Sequence, residues 1–423
     1  MASTFTHKRK LELLATAIRD NMPFVTASVQ KFPQSEMKGR KLGAMVHMYL
    51  ADPGKTYDGI IADPSEIYEV ELVAYMQSKG TSVETDIWED FNDIESFAKE
   101  VLKPRGLKLA RDIEKEVIDL NVFRGMQAVV RPKVGGVSAP DFELLTDAAT
   151  KLSELSVAGR LIDFQSPTIF GKISATGLGK FLPDDIMRDV YKQRYLGEYA
   201  GASNIQQALM PVIKMSSTMD TAPTITFTKE TETVGGVTKI VGYTVGALTA
   251  SSGKTLENGA AYEVPGVFIV DESGAETNQP LVVIYHKAVS GANKGVLTFA
   301  NGIEALRVTA KGEGYHNPNV WVDPTTFDSG SATTTVTCSA LLGAGKSYAV
   351  GQCRTEDALC FDSYSFSDLP SSRTENVGVD GPITLKCMAF GEGKSGVQLT
   401  RIDAPHLSTI WEPRRCVTTY VEV

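Results

Sequence analysis

Apolar residues recur along this chain first at helical steps and later in the alternation of strands, and the changes of period divide it. Between Lys10 and Arg19, Leu11, Leu14, Ala15 and Ile18 mark one face of a short amphipathic helix, and Pro23 and Pro33 interrupt the stretch after it. A helix that short is marginal alone in water, so residues 1–38 read as an arm that needs another surface for its apolar side. Two strand-like stretches come next, 43–51 and 68–76. In the second, Val70, Leu72, Ala74 and Met76 fall on one side. Asp52-Pro53-Gly54 and Asp63-Pro64 are turn signals between them, which predicts a long hairpin with a broad tip. A lone hairpin is also marginal and should lie against a neighbour.

The helical period returns over 91–102, with Pro104 and Gly106 expected to break it, and again over 107–123. There Leu107, Ala110, Ile113, Val117 and Leu120 describe one face and charged residues fill the rest. This is a brace helix. Residues 140–215 alternate short helices and strands, with helices expected over 140–155 and 183–191 and a third over 205–209 capped by Asn204. From about residue 217 the composition turns to Thr, Gly, Val and Ser, with strands expected at 224–228, 239–244, 264–270, 281–286 and 295–299. Mixed structure resumes afterwards, so residues 220–337 read as an all-β module inserted into the preceding domain. The tail predicts a hairpin of 383–390 with 397–402 and a closing strand over 416–423.

Composition narrows the class. At 423 residues, 42% hydrophobic and 22% charged, the chain has the make-up of a folded protein of two or three domains. A net charge of −9 gives no basic surface for gripping phosphates; the one dense basic run is His7-Lys8-Arg9-Lys10, read as a solvated helix end. Cys338, Cys353, Cys360, Cys387 and Cys416 are odd in number and form no CxxC, which fits buried reduced thiols better than a disulfide framework or zinc site. No secretory signal and no apolar stretch long enough for a membrane helix are expected.

Two segments imitate nucleotide-binding motifs. Residues 340–347 end in Gly345-Lys346-Ser347, but Ala340 stands where a phosphate loop has its first glycine and no helical run comes after. Gly391, Gly393 and Gly396 match GxGxxG, yet the residues beyond are strand-like, so this reads as a hairpin loop. His7, His47, His286, His316 and His406 are scattered, and neither HExxH nor GxSxG occurs. No catalytic, metal or cofactor residue is assigned, and the chain is expected not to be an enzyme.

The order of parts resembles the major capsid fold of tailed bacteriophages, the Johnson fold, and in particular the coat proteins of short-tailed phages that carry an inserted β-barrel domain. In the segment 107–116, Leu109, Ala110, Ile113, Glu114 and Glu116 resemble the family's brace-helix motif. The segment 184–191, then Gly197 to Gly201, then 205–209 resembles its helix, glycine loop and second helix. Leu256, Gly259, Gly266 and Val267 resemble its turn in the insertion, with Ala260 in place of the acidic residue. The resemblance implies an α+β fold divided as 1–38 N-terminal arm, 39–84 extended hairpin loop, 85–139 peripheral domain with the spine helix, 140–219 first part of the axial domain, 220–337 inserted β-barrel, and 338–423 closing strands of the axial and peripheral domains. It implies hexamers and pentamers closing into an icosahedral head around double-stranded DNA, without sequence-specific binding. Scaffolding protein and portal are the implied partners, a decoration protein is left open, no membrane is involved, and the location is the virion, assembled in host cytoplasm. Leu11, Leu14 and Ile18 of the arm, with Val70, Leu72 and Met76 of the hairpin, are the expected contacts between subunits. Alternatives are a nanocompartment shell protein of the same fold, a surface-binding β protein, and an enzyme using the 340–347 loop.

Overall fold

The computed structural model describes residues 18, 21–32, 44–51, 69–86, 103–136, 142–173, 195–199, 201–234, 237–245, 248–273, 275–287, 296–297, 305–308, 315–316, 320–322, 333–364, 373–378, 384–391 and 397–423. The helices expected over 91–102 and 183–191, and that over 10–19 apart from Ile18, lie outside these. So do the hairpin tip and the loop between Gly391 and Val397. The two hairpin strands are present as Met45–Ala51 and Glu69–Tyr75, paired as a two-stranded sheet. The chain forms two compact units.

The first unit comprises 1–48, 73–121 and 359–409. Its sheet runs Leu359–Ser363, Val397–Ile410, Thr384–Gly391, Arg373–Gly378, and Gln77–Asp86 lies antiparallel to Val397–Ile410 over ten residue pairs. The hairpin expected near 383–402 is there, with Gly391 opposite Gln398. The brace helix spans Lys103–Asn121. It begins earlier than the sequence pattern suggests, because a proline in the first turn removes an N–H that has no helical partner anyway. Its buried stripe is also rotated from the expected one. Leu109, Ala110, Ile113, Val117 and Ile118 are buried, together with Glu114 and Asn121, whereas Leu107 and Leu120 are half-buried. Asn121 Nδ2 donates to Val117 O and Ser408 Oγ at 2.9 and 3.0 Å, and Glu114 accepts from the N-terminal segment.

The second unit comprises 49–72, 122–358 and 410–423. Its mixed seven-stranded sheet has the order Gln127–Arg131, Cys416–Glu422, Ser347–Thr355, Leu161–Gln165, Ala202–Gln206, Tyr195–Tyr199, with Val212–Lys214 also paired to Ser347–Thr355. Helices Phe142–Glu154 and Pro167–Ile173 supply Leu144, Leu145, Ala148, Leu152, Ile169 and Phe170 to a core with Leu161, Ala349, Cys353, Val417 and Val421. Asn204 is not a helix cap. It sits in the strand Ala202–Gln206, buried, with Nδ2 donating to Ala202 O at 2.9 Å; the helix expected over 205–209 is displaced by pairing of this strand with Leu161–Gln165 and Tyr195–Tyr199.

The chain leaves the seven-stranded sheet at Lys214 and returns at Ser347, the residue paired with it. Between them a nine-stranded sheet links Glu276–Ile284, Ala261–Val270, Val320–Val322, Tyr315–His316, Ala305–Val308, Val237–Val245, Thr224–Val234 and Thr333–Thr337. One residue past Thr337, the strand Ser339–Ala340 pairs with Tyr262 and Glu263. The path of strands from Ala261–Val270 round to Thr333–Thr337 therefore returns to its start, with Ile225, Phe227, Val264, Val267 and Ile269 buried.

Candidate functional site

The N-terminal segment is the first place where geometry departs from the sequence reading. Leu11 and Leu14 lie outside the described residues, and Val70 and Leu72 lie on the strand Glu69–Tyr75. Ile18 and Met76, expected to face neighbours, are already buried within the single chain. Residues 21–32 explain the burial of the arm's end. Met22, Phe24, Val25 and Phe32 are buried. Phe24 N donates to Glu114 Oε1 at 2.8 Å, where the helix Pro23–Thr26 begins. Val29 then bridges in parallel to Cys360: its N–H donates to Leu359 O at 2.9 Å and its C=O accepts from Phe361 N at 3.0 Å. Lys31 N and Phe32 N both donate to Asp362 Oδ2, at 3.1 and 2.9 Å.

The 340–347 loop does not form a cradle for a phosphate. A phosphate loop works by leaving backbone N–H groups free to converge on the anion. Here Gly343 N donates to Tyr348 Oη at 2.8 Å, Gly345 N to Ser216 O at 3.1 Å and Lys346 N to Gly343 O at 3.4 Å. The next element is the strand Ser347–Thr355, not a helix. Lys346 Nζ is 3.0 Å from Glu422 Oε2, and that hydrogen bond raises the lysine and helps hold the glutamate below its ordinary value.

The most unusual electrostatics lie inside the seven-stranded sheet. Asp163, on the strand Leu161–Gln165, is fully buried, and burial pushes its acid from 3.8 to about 7. Its carboxyl group accepts from Gln165 Nε2 at 2.8 and 3.0 Å, and that amide reaches Thr419 Oγ1 at 3.1 Å. Gly351 makes the space: a Cβ there would stand 2.2 Å from Gln165 Oε1 and 2.6 Å from Thr419 Oγ1. On the same strand Arg354 is wholly buried, its guanidinium 5.2 Å from the Phe164 ring centre, and burial lowers it to about 10. In the first unit, burial alone would raise Glu116. Bonding and charge from His406, 3.6 Å away, and Lys79, 3.3 Å away, outweigh it and lower the acid.

These groups hold structure together, and none has the geometry of a nucleophile beside a base. Cys338, Cys353, Cys360 and Cys416 are buried and free, as expected, and burial pushes Cys338 and Cys416 up to about 12; Cys387 lies on the strand Thr384–Gly391. Among the described residues no three His, Cys, Asp or Glu side chains gather to hold a metal. Among them, too, no helix is long and apolar enough to cross a membrane.

No family model and no curated protein matches the chain. Among solved structures it is similar to a chain of the capsid of Ralstonia phage GP4, at 6% identity over 94% of this chain and 88% of that one, with a TM-score of 0.44. It is also similar to a chain of the head of Helicobacter pylori bacteriophage KHP40, at 8% identity over 95% and 90%, TM-score 0.42. A third similarity is to the capsid of Cyanophage P-SCSP1u, at 9% identity over 92% and 88%, TM-score 0.41.

Proposed function

We propose that this chain is a major capsid protein of the tailed-phage kind, a structural subunit and not an enzyme. The observation that carries the reading is the order of parts along the chain. A two-stranded hairpin precedes a long helix that lies in one unit with a five-stranded sheet. A second sheet is begun by Gln127–Arg131 and finished by Ser347–Thr355 and Cys416–Glu422, and a closed β module stands between its paired strands at Lys214 and Ser347. In this reading 73–121 with 359–409 form the peripheral domain, the seven-stranded sheet with its helices forms the axial domain, and 220–337 is the inserted barrel. Leu11, Leu14, Ile18, Val70, Leu72 and Met76 are the proposed contacts between neighbouring copies. Hexamers and pentamers close into a head in the host cytoplasm, on a scaffolding protein and around a portal, and enclose double-stranded DNA. A net charge of −9 disfavours tight adhesion of that DNA to the shell, and many modest contacts closed by symmetry give a stable particle. The test is electron microscopy of the concentrated full-length protein, alone and with its scaffolding protein. Closed or curved shells are expected, and a strictly monomeric protein under both conditions would overturn the proposal.

A further inference from the structure

The seven-stranded sheet of the second unit carries opposite charge at its two ends. At one end Arg131 is paired with Val421, Tyr348 with Glu422 and Ser347 with Lys214. Lys133, Lys214 and Lys346 therefore stand across neighbouring strand ends, and all three are exposed. The carboxylate between them is Glu422, whose Oε2 accepts from Lys133 N at 3.2 Å and from Lys346 Nζ at 3.0 Å. Glu143 and Asp147, on the adjoining helix, are taken by Arg131 at 3.5 and 2.7 Å. Among the described residues neither Lys133 nor Lys214 has an ion pair of its own. Val134 and Val212 stand beside these lysines, and they are the large hydrophobic side chains that the described residues leave exposed, at 70% and 59%. The other end is the reverse. Thr355 is paired there with Leu161, and Leu161 with Ala202. Arg160 is shared between Glu198 at 3.6 Å and Glu356 at 3.8 Å, and Arg415 joins Glu272 to Asp357. Each arginine thus serves two carboxylates, and the Glu198 and Glu356 side chains remain 69% and 50% exposed.

We propose that these two ends are the two halves of one contact between copies, in which the lysine end of one chain, Lys133, Lys214 and Lys346, docks on the acidic end of the next, Glu198, Glu356 and Asp357. The inference rests on the capsid reading and names surfaces by which its copies meet. A second copy is the partner that fits, because each chain presents both signs of charge on opposite ends of one rigid sheet. Complementary charge of this kind selects the partner and its orientation. The two surfaces differ, so the contact runs head to tail, the type that closes into a ring when the rotation allows it. Exposed ion pairs are individually weak. The contact therefore fades as salt screens it, and repetition around a ring with the valines at its rim makes up the strength.

The experiment uses the full chain with its scaffolding protein, followed by sedimentation velocity and electron microscopy. Lys133→Glu with Lys214→Glu reverses one end, and Glu198→Lys with Glu356→Lys reverses the other; all four positions are exposed. Each variant alone should associate at least about tenfold more weakly than the wild type, because like charges then face each other across the contact. Mixed in equal amounts, the two variants should associate again, since every end then meets its opposite, and mixing does not cure a folding defect. Separately, carbodiimide treatment of wild-type assemblies built from isotopically light and heavy chains should join Lys133 or Lys214 of one chain to Glu198 or Glu356 of another. Unchanged assembly of either variant overturns the proposal and leaves the capsid reading standing, and so does a mixture that stays unassociated. Should a variant fail to fold, the wild-type cross-links decide, and their absence from assembled particles overturns the proposal equally. A wild-type chain that never assembles is a different result: it fails the capsid reading, and this contact falls with it.

Discussion

Replacing Asp163 by asparagine removes the titrating group from the middle of the seven-stranded sheet with almost no change of shape. In the folded chain the acid keeps its proton until about pH 7, whereas the unfolded chain gives it up near 3.8. Between those values the folded state binds one more proton, so stability falls as pH rises through the window. The contribution is complete below about pH 4 and gone above about pH 7. At roughly 1.4 kcal/mol for each tenfold change in proton affinity, a rise from 3.8 to about 7 amounts to about 4 kcal/mol. Some 2–3 kcal/mol of that falls between pH 5 and 7 on the same scale. An asparagine at this position resembles the protonated acid and does not titrate. The stability of Asp163→Asn relative to wild type should therefore grow by roughly 2–3 kcal/mol between pH 5 and pH 8. Urea unfolding of both proteins at each pH gives the difference directly, since every other titrating group cancels between them. A difference that stays constant from pH 5 to pH 8 would refute the reasoning, because it would mean that Asp163 is ionised throughout that range.

Phe24→Ala should destabilise the subunit by about 3–5 kcal/mol, the usual cost of emptying a buried aromatic site, visible as a lowered melting temperature. Gly351→Ala should cost about 1–3 kcal/mol or more, because the new methyl displaces Gln165 from both Asp163 and Thr419; the urea midpoint checks it. Gly259→Ala should also destabilise. Its φ is +83° and its Cβ would meet the Phe123 ring at 2.9 Å, and differential scanning calorimetry reads the loss. Lys346→Ala should leave the melting temperature unchanged, and equilibrium titration with ATP should show no binding that depends on Lys346.

Periodicity is readable wherever one face of an element meets the core. The strands Met45–Ala51 and Glu69–Tyr75, the helix Phe142–Glu154 and the closing strand Cys416–Glu422 lie where apolar spacing puts them, and the brace helix Lys103–Asn121 does so apart from its earlier start and turned stripe. The misplacements share one cause, which is that segments distant in sequence bury a polar side chain that local pattern assigns to a cap or a solvated face. Asn204 has the look of a helix cap, but its amide serves a carbonyl two residues back inside a strand buried by neighbours from other parts of the chain. By residue type Glu114 belongs with the charged face of the brace helix, and its burial depends on an N–H ninety residues away. Asp163 carries no local signal at all, since Leu-Ile-Asp-Phe-Gln reads as an ordinary strand and the desolvation comes from chain segments that local pattern cannot place.

The same principle governs the β module. Its composition marks it as a unit, and the paired strands at Lys214 and Ser347 make it an excursion from one sheet. Its attachment, however, is more than two crossings of the chain. Val282 N donates to Met126 O at 3.1 Å, Tyr420 Oη to Gly259 O at 3.0 Å, and Arg414 Nη1 to Asp271 O at 2.7 Å. Arg415 joins Glu272 to Asp357. Tyr420 and Arg414 are themselves buried, so cutting the module away strands a phenol and a guanidinium without these acceptors, at a cost of roughly 1–3 kcal/mol for each buried polar group. The sheet and the module therefore stabilise one another, and the pairing of Ser339 and Ala340 with Ala261–Val270 comes just before the chain rejoins the sheet at Ser347. A change that loosens either is therefore transmitted to the other through these few bonds.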